Sequence, residues 1–459
     1  MKHRTIALLL AAALGLSLIG GAALAVEDDA ASSGSTAAQT DGAPTSGEPD
    51  VSPENTEGAE EMESAVYGAD AGEVEEEQEE QPPAEEYIPD PVGSISFTNL
   101  EHRLRENNLN LLALEESIQA IEAIDYEKMT DDIRKQINQI AQAQWGMIVT
   151  GGAVGSIAAS SMDAAYDSLR DTFDDLKDGK IQEDNAAVIR QLENAQEQII
   201  MAAESLYVAL VDLELNDSAL DRQLTALDRT IQEMELRYEL GHISSQTLRQ
   251  TQASRTALVS GQQTLEMNIS NYKAQLEMLI GAEQTGNIQL QGLPQVTSQQ
   301  LEEMDLEADL AAAKEVSYDL FAAQRTLEDA QEDFKDAGKD YNYNEKKYQY
   351  VSAQHTWESA QYTYQATLQS FENSFRSLYL QVKDYKQVLD AARTALAVEQ
   401  DNYSVAQLKH SQGSLSDNGL LEAEDKVKSA QETVEGAEVD LFTAYHNYRW
   451  AVDYGLLAG

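Results

Sequence analysis

The chain has 459 residues, a large excess of acidic over basic side chains, and no cysteine. Its 81 Asp and Glu against 31 Lys and Arg give a formal net charge of -50, which argues against nucleic acid as a partner because phosphates would be repelled. Without cysteine, neither a disulfide framework nor a lipidated cysteine after a signal peptide is available.

Residues 1–25 have the organisation of a secretory signal peptide. A basic stretch at positions 2–4 precedes an apolar run, and the run ends in an A-x-A cleavage pattern at positions 23–25. We therefore expect an exported protein whose mature chain starts at Val26, with an uncleaved anchor helix as the alternative. No later segment supplies about eighteen consecutive apolar residues, so no transmembrane helix is expected after signal cleavage.

Residues 26–92 form an acidic segment without Lys or Arg, and seven of the eight prolines of the chain lie in it. Low hydrophobicity with charge of one sign cannot bury enough apolar surface to offset the entropy of ordering, so the composition predicts a disordered tether. Binding of cations or basic polymers by this segment is the alternative.

The remaining residues, 93–459, contain a single proline, Pro294. Because a helix interior tolerates proline least of all residues, this depletion predicts long α-helices and an all-α fold. Residues 205–281 also match residues 377–453 at a constant offset of 172 positions, without a gap. The chain therefore carries two tandem copies of one unit.

Apolar residues in both copies recur at alternating steps of four and three, which is the heptad seam of a coiled coil. Asp217 interrupts the seam of the first copy and Glu399 that of the second. Tyrosines recur at seam positions, where we expect them to pack: Tyr207, Tyr238, Tyr272, Tyr385 and Tyr448.

Each seam stops at a glycine and restarts after it, which predicts a helix, a tight reversal and an antiparallel partner helix. Gly241 and Gly413 can adopt the left-handed conformation that ends a helix, and Ser244 and Ser416 are suitable N-caps for the returning helices. The predicted fold class is all-α, with elongated antiparallel coiled-coil hairpins in two tandem repeats.

Each hairpin is preceded by a further helical segment. Asn108 aligns with Ser317 at an offset of 209 rather than 172, so the first copy carries 37 more residues between its early helix and its hairpin. With Pro294 at the joint, the predicted domains are a first repeat at 93–293 and a second repeat at 294–459.

Three segments resemble those of TolC-type outer-membrane efflux proteins. RYELGHISSQTLRQTQAS has an L-G-x-I-S hairpin turn, ISFTNLEHRLRENNLNLLALEESI resembles the first helix, and GLLEAEDKVKSAQETVEGAEVDLFTAYHNYRWAVDYGLL resembles the last. The resemblance spans roughly residues 95–457. It implies a TolC-like α-barrel protomer that forms a homotrimer, in which two hairpins from each chain line one tunnel. It also implies a membrane-fusion adaptor and an inner-membrane pump as partners.

The same resemblance implies that the adaptor docks at the hairpin ends. We call Leu240–Ser244 the first tip and Gln412–Ser416 the second tip. The implied docking residues are Leu240, Gly241, Ile243, Ser244, Gln412, Gly413, Leu415 and Ser416. His242 and His410 lie at these turns, where protonation can tune docking, and solvent-facing loop histidines are the simpler interpretation.

The sequence departs from the family where each family repeat inserts a two-stranded hairpin of a β-barrel. Residues 145–161 are Gly-rich and apolar without regular alternation, and residues 340–351 carry alternating tyrosines in very short runs. No clear β-barrel is therefore expected. A flexible loop in the first copy and a continuous helix in the second copy are the expected structures.

The sequence contains no recognisable catalytic or metal-binding arrangement. Its six histidines lie outside ligand spacings such as HExxH, and no Gly-rich phosphate loop follows a strand. We expect no enzyme activity and no cofactor. The expected function is a TolC-like conduit in an efflux or export system, and the alternative is an extracytoplasmic coiled-coil scaffold without pore activity. With either function we expect the protein in the cell envelope. In an envelope with two membranes this means the outer membrane and periplasm, and in one with a single membrane the cell wall or the extracellular space.

Overall fold

The structure is a computed structural model that describes residues 89–457; at positions 152–159 it describes the backbone but not the side chains. The predicted signal peptide at 1–25 and positions 26–88 of the predicted tether lie outside the described residues. The domain boundaries drawn from the internal repeat stay predictions.

Residues 89–457 form eleven helices and two short strands, and the predicted all-α fold class is confirmed. In chain order the elements are β1 (Ser94–Ile95), α1 (Phe97–Asn107), α2 (Leu109–Glu122), α3 (Tyr126–Ser160), α4 (Asp163–Lys177), α5 (Lys180–Glu239), α6 (Ser245–Leu279), β2 (Gln289–Leu290), α7 (Ser298–Glu302), α8 (Leu306–Val316), α9 (Tyr318–Asp340), α10 (Tyr348–Ser411) and α11 (Asp417–Tyr454). Within this part of the chain, no helix has both the length and the apolarity needed to cross a membrane.

Two very long helices, α5 with 60 residues and α10 with 64, form the ascending arms of the two predicted hairpins. At 1.5 Å per residue each is on the order of 90 to 100 Å long. Neither contains proline, and both are rich in the strong helix formers Ala, Leu and Gln. Each reverses at a glycine into an antiparallel partner, α6 after α5 and α11 after α10.

The four long helices pack side by side in the order α6, α5, α11, α10. Arg222 of α5 makes a two-point ion pair with Glu432 of α11, with both N–O distances 2.7 Å. Seven residues further along α5, Arg229 pairs with Asp425, seven residues back along α11. The equal steps show that α5 and α11 run antiparallel in a fixed register, and this contact joins the two repeats.

Seam residues form the buried core of each hairpin, as the heptad pattern predicts. In the second repeat, Leu378, Val382 and Leu389 of α10 lie in one buried cluster with Leu441 and Tyr448 of α11. Full burial of one Leu or Val side chain contributes roughly 1.5–3 kcal/mol, so the stacked layers dominate the stability of the hairpin.

The seam tyrosines divide into buried and exposed positions. Tyr207 and Tyr448 are fully buried, and Tyr272 and Tyr385 are partly buried. Tyr238 is 46% exposed, so the expectation that it packs in the seam is wrong. It lies in the last turn of α5, where the hairpin ends and fewer layers of side chains remain to cover it.

A short parallel pairing fixes the start of the described chain to the joint between the repeats. Ser94 lies beside Gln289 and Ile95 beside Leu290. The hydroxyl of Tyr207 on α5 lies 3.0 Å from the carbonyl oxygen of Ile95 and also contacts the carbonyl oxygen of Gln291. Burial raises the pKa of the Tyr207 phenol, which keeps this hydroxyl protonated as a donor.

The segment at 145–161 is helical almost throughout, so the expected flexible loop in the first copy is wrong. α3 continues to Ser160, and α4 begins at Asp163. The segment contains no proline, and its Ala, Met and Ile residues support a helix despite the glycines. The 37 extra residues of the first copy lie between its early helix and its hairpin, the region that α3 and α4 occupy, and we call α3 and α4 the helical insertion.

The continuous helix expected in the second copy is also wrong, because a turn separates α9 from α10. α9 ends at Asp340, and Asn342 and Tyr343 have positive φ angles of 51° and 54°. The Tyr343 N–H donates to the carbonyl oxygen of Gly338 at 2.9 Å, which closes the last turn of α9. A left-handed residue at a helix end stops the helix, and the chain restarts as α10 at Tyr348.

Candidate functional site

The first tip, Leu240–Ser244, is a helix C-cap followed at once by an N-cap. Gly241 has a φ of +73°, and its N–H and that of His242 donate to carbonyl oxygens of the preceding turn at 2.9 and 2.8 Å. Such crossed bonds satisfy carbonyls that the end of α5 leaves free. The hydroxyl of Ser244 accepts a hydrogen bond of 3.2 Å from the N–H of Thr247 and caps α6.

The second tip, Gln412–Ser416, repeats this backbone arrangement. Gly413 has a φ of +74°, and the N–H groups of Gly413 and Ser414 donate to the preceding turn at 2.8 and 2.9 Å. Ser416 accepts from the N–H of Gly419 at 3.2 Å and caps α11. The predicted left-handed glycines and serine N-caps are therefore confirmed in both repeats.

The two tips lie side by side at one end of the four long helices. The ion pair between Arg229 and Asp425 fixes the register of α5 against α11. Gly241 lies twelve residues after Arg229 in the sequence, and Gly413 lies twelve residues before Asp425. Because the helices are antiparallel and rise equally per residue, both glycines reach the same level.

The eight residues predicted for docking all lie in these two turns, and most of them face solvent. Leu240 is 61% exposed, and open space surrounds the position where a Cβ on Gly241 or Gly413 would lie. Ile243 and Leu415 are partly buried. The structure thus brings the eight residues together at one end, and their contact with an adaptor stays a prediction.

The two tips share a backbone but differ in their side chains. A Cβ on Gly419 would lie 2.6 Å from Cδ1 of Leu415, so the missing side chain there leaves room for Leu415 to pack against the first turn of α11. The first repeat has Thr247 at the equivalent position. His410 Nε2 lies 2.7 Å from Oδ1 of Asp417 and links the two helices across the second turn. A partner that binds both tips therefore meets two different surfaces.

Ion pairs hold the helices together below the tips. Arg255 of α6 pairs with Asp228 of α5, and the hydrogen bond from this guanidinium lowers the pKa of the Asp228 carboxyl. The side chains of Arg222 and Glu432 are only 18% and 26% exposed, and their hydrogen bond raises the pKa of the Arg222 guanidinium. Asp228 and Arg222 thus stay charged at neutral pH.

A buried carboxylate also joins the repeats, and sequence reasoning missed it. Glu204 of α5 accepts from the indole Nε1 of Trp450 at 2.8 Å and lies 2.7 Å from Nε2 of His446. The ring of Phe97 packs edge-on against His446. These partners are more than 240 positions away from Glu204, so no local pattern signals the contact.

Glu277, near the end of α6, is a second missed carboxylate. Its oxygens accept hydrogen bonds from the backbone N–H groups of Gly286, Asn287 and Ile288 at 2.7 to 3.1 Å and from the hydroxyl of Thr285 at 2.8 Å. This carboxylate satisfies the amides of the connection between α6 and β2. Among the described side chains, no group of three or more His, Asp or Glu is placed to hold a metal ion.

No protein-family model and no curated protein matches this chain. Among solved structures, the outer-membrane channel OprN is 13% identical with a TM-score of 0.51, covering 78% of this chain and 90% of its own. A membrane protein from Pseudomonas aeruginosa is 10% identical with a TM-score of 0.49, covering 79% and 90%. The outer membrane protein VceC from Vibrio cholerae is 14% identical with a TM-score of 0.42, covering 76% and 93%.

The OprN comparison carries the fold assignment. At 13% identity it shows a shared fold, and it covers most of both chains. The predicted TolC-like helical fold is therefore confirmed.

Proposed function

We propose that this protein is the conduit of an efflux or export system in the cell envelope. In this proposal three copies assemble, and their hairpins line one helical tunnel. The two tips of each chain dock on a membrane-fusion adaptor, which connects the conduit to an inner-membrane pump. In an envelope with two membranes, the protein belongs to the outer membrane and the periplasm.

The observation that carries the proposal is the equal level of the two glycine turns. Gly241 and Gly413 end two hairpins at one height, with the same hydrogen-bonded backbone and open space around both. Three chains in a closed ring would present six such turns in one plane. A ring of repeated, exposed backbone suits a ring-shaped partner, as an adaptor would be.

Exposed apolar residues on an outer helix support the homotrimer. In the order α6, α5, α11, α10 the helices α6 and α10 lie at the two edges. The large apolar residues of α10 that are exposed in the single chain include Leu380, Val388, Val398, Val405 and Leu408. Such a row, if it packed against α6 of the next chain, would be buried in a head-to-tail ring.

Site-specific crosslinking at the tips tests the proposal. Because the chain has no cysteine, Leu240→Cys or Gln412→Cys gives one attachment point for a photo-crosslinker. We expect both variants, expressed in the native envelope, to capture the same adaptor, identified by mass spectrometry. Val92→Cys, fully exposed and preceding β1, is the matched control. Capture of no adaptor from either tip, or equal capture from position 92, would contradict docking at the tips.

The alternative is an extracytoplasmic coiled-coil scaffold without pore activity. It uses the same helical fold, so the fold does not separate the two functions. A scaffold requires neither a closed ring nor an adaptor. The crosslinking result and the number of chains in the assembly therefore distinguish it from a conduit.

A further inference from the structure

The start of α10, residues 348–371, carries almost no charge. It contains Glu358 and His355 but no Asp, Lys or Arg, although charged residues make up 24% of the chain. The rest of the segment is dominated by Gln, Ser, Thr and Ala, together with four tyrosines and one tryptophan. In a chain of net charge -50, this composition favours a partner that binds through aromatic rings and neutral hydrogen bonds rather than through charge.

This segment extends beyond the end of α11. Phe375 of α10 packs against Tyr448 of α11, with ring centres 5.4 Å apart. Because the two helices run antiparallel and rise equally per residue, Tyr454 at the end of α11 lies level with about residue 369 of α10. Residues 348–364 therefore lie past the end of α11, and α9 packs along them instead.

Aromatic stacking shows which side of α10 meets α9. Phe334 of α9 stacks on Trp357 with ring centres 5.2 Å apart and on Tyr350 at 5.3 Å. Trp357 and Tyr350 are seven residues apart, so they lie on one side of α10. At about 100° per residue, Tyr362 and Tyr348 lie about 120° and 160° around the helix from Tyr350. They are therefore on the side of α10 that faces away from α9.

An exposed row of side chains runs along this outer side. Its five members are spaced by steps of four and three positions, and we call them the tyrosine row: Tyr348, Ser352, His355, Ser359 and Tyr362. All five are exposed, with Tyr348 at 78% and Tyr362 at 72%. Fourteen positions separate the two tyrosines, which places them about 21 Å apart along the helix. The row thus has an aromatic ring at each end and neutral polar groups between them.

The polar groups between the tyrosines can donate and accept hydrogen bonds. The serine hydroxyls do both. Nδ1 of His355 lies 3.2 Å from Oε2 of Glu358, so a ligand would meet Nε2 of the same ring. The apolar face of a partner helix, or lipid hydrocarbon, would bury these groups without hydrogen bonds, which costs free energy. A ligand that carries its own hydroxyl groups would satisfy them.

A linear glycan without charge fits both parts of the tyrosine row. The C–H groups on one face of a sugar ring pack against the negative face of an aromatic ring. The hydroxyl groups at the edge of the sugar hydrogen-bond to side chains such as those of Ser and His. An acidic polymer would be repelled by the net charge of the chain.

We propose that the tyrosine row binds a linear, uncharged glycan of the cell envelope. One sugar unit stacks on Tyr348 and another on Tyr362, and the units between them hydrogen-bond to the serines and the histidine. Tyr362 is about 75 Å along α10 from Ser411, the last residue before the second tip, so a glycan does not compete with a partner at the tips. The proposal goes beyond the conduit function and does not depend on docking at the tips.

Calorimetric titration of the full exported protein tests the proposal. The probes are a hexasaccharide of N-acetylglucosamine and a hexasaccharide of glucose, each compared with the disaccharide of the same sugar. A disaccharide reaches only one tyrosine, so we expect the hexasaccharide that binds to do so at least about tenfold more tightly. Binding of neither hexasaccharide, or equal affinity for the long and short forms, would overturn the proposal.

Variants of the two tyrosines locate the binding. We expect Tyr348→Ala and Tyr362→Ala each to weaken hexasaccharide binding at least about fivefold, because each removes one stacking surface. Tyr362→Phe keeps the ring and should retain most of the affinity. Tyr238→Ala, which removes an exposed tyrosine near the end of α5, is the matched control. Circular dichroism checks that all variants stay folded, and an equal loss in Tyr238→Ala would overturn the assignment to the tyrosine row.

Two further measurements on Tyr348→Ala and Tyr362→Ala exclude other occupants of the row. Light scattering gives the number of chains per particle, and flotation with phosphatidylcholine vesicles gives the binding to lipid. We expect both to match the wild type. Fewer chains per particle in the variants would mean that a second copy covers the row, and weaker flotation would mean that lipid does. Either result would overturn the proposal.

Discussion

The carboxylate of Glu204 on α5 accepts a hydrogen bond of 2.8 Å from the indole N–H of Trp450 on α11. Glu204 is only 5% exposed, and the same oxygen lies 2.7 Å from Nε2 of His446. The contact joins the first and second repeats far below the tips. A polar link buried at this depth stabilises only while both partners are present.

Removal of the Glu204 carboxylate should therefore destabilise the contact between the repeats. We expect Glu204→Ala to lower the free energy of unfolding by about 1–3 kcal/mol, because it removes the buried carboxylate that contacts both the indole N–H of Trp450 and the imidazole of His446. Glu204→Gln should cost less, since its amide oxygen can still accept. Urea unfolding followed by circular dichroism measures the difference. Glu266→Ala, on the exposed face of α6, is the control, and equal losses in both Ala variants would contradict the role of Glu204.

Glu277 should make the free energy of unfolding depend on pH in the acidic range. Burial would raise the pKa of this carboxyl, but hydrogen bonds from Gly286, Thr285 and Asn287 outweigh it and leave the pKa below the ordinary value of 4.5. A folded-state pKa below the unfolded value adds stability above about pH 4.5, and this stability is lost as the pH falls through the folded value. Unfolding at a series of pH values should therefore show a smaller acid-induced loss in Glu277→Gln than in the wild type. An identical pH dependence in both proteins would contradict this.

The surroundings of a left-handed glycine should decide how much its replacement costs. Gly241 and Gly455 both have positive φ, at 73° and 66°. Nothing lies near a Cβ on Gly241, whereas a Cβ on Gly455 would meet the backbone of Ser317. Asn tolerates this conformation, so we expect Gly241→Asn to change the unfolding free energy by less than about 1 kcal/mol and Gly455→Asn to cost more. Similar thermal shifts in the two variants would be inconsistent with the packing at Gly455.

The ion pair between Arg222 and Glu432 should couple the repeats measurably. It is two-point and largely buried, so a double-mutant cycle with Arg222→Ala and Glu432→Ala should give a coupling energy of about 0.5–1.5 kcal/mol that falls with added salt. The exposed pair of Lys135 and Asp132 on α3, with its single contact of 2.8 Å, is the control cycle. A coupling between Arg222 and Glu432 no larger than that of the control would show that α5 and α11 are not held in this register.

The tips could be predicted from the sequence because the residues that form each turn are neighbours in the chain. Each tip combines a glycine, a serine N-cap three residues later, and apolar seams on both sides. Because the chain repeats this unit, the same turn is predicted independently at Gly241 and at Gly413. Local conformational rules decide such turns, so Gly241 and Gly413 could be predicted without knowledge of the packing.

The helical insertion and the buried carboxylates could not be predicted in the same way. Residues 145–161 combine glycines that weaken a helix with alanines that favour it, so propensity alone does not decide between loop and helix. In the sequence, Glu204 and Glu277 cannot be distinguished from ordinary solvent-exposed glutamates on a helix. Their burial depends on Trp450 and on the turn after α6, which only the tertiary structure brings near.

The number of chains in the assembled exported protein tests the conduit proposal most directly. Light scattering of the protein extracted in mild detergent, repeated over a wide range of concentration, gives the mass of the complex. We expect three chains per particle, with the α6 and α10 edges closed against each other. A particle of one chain at every concentration would contradict the conduit and leave a coiled-coil scaffold as the function of this fold.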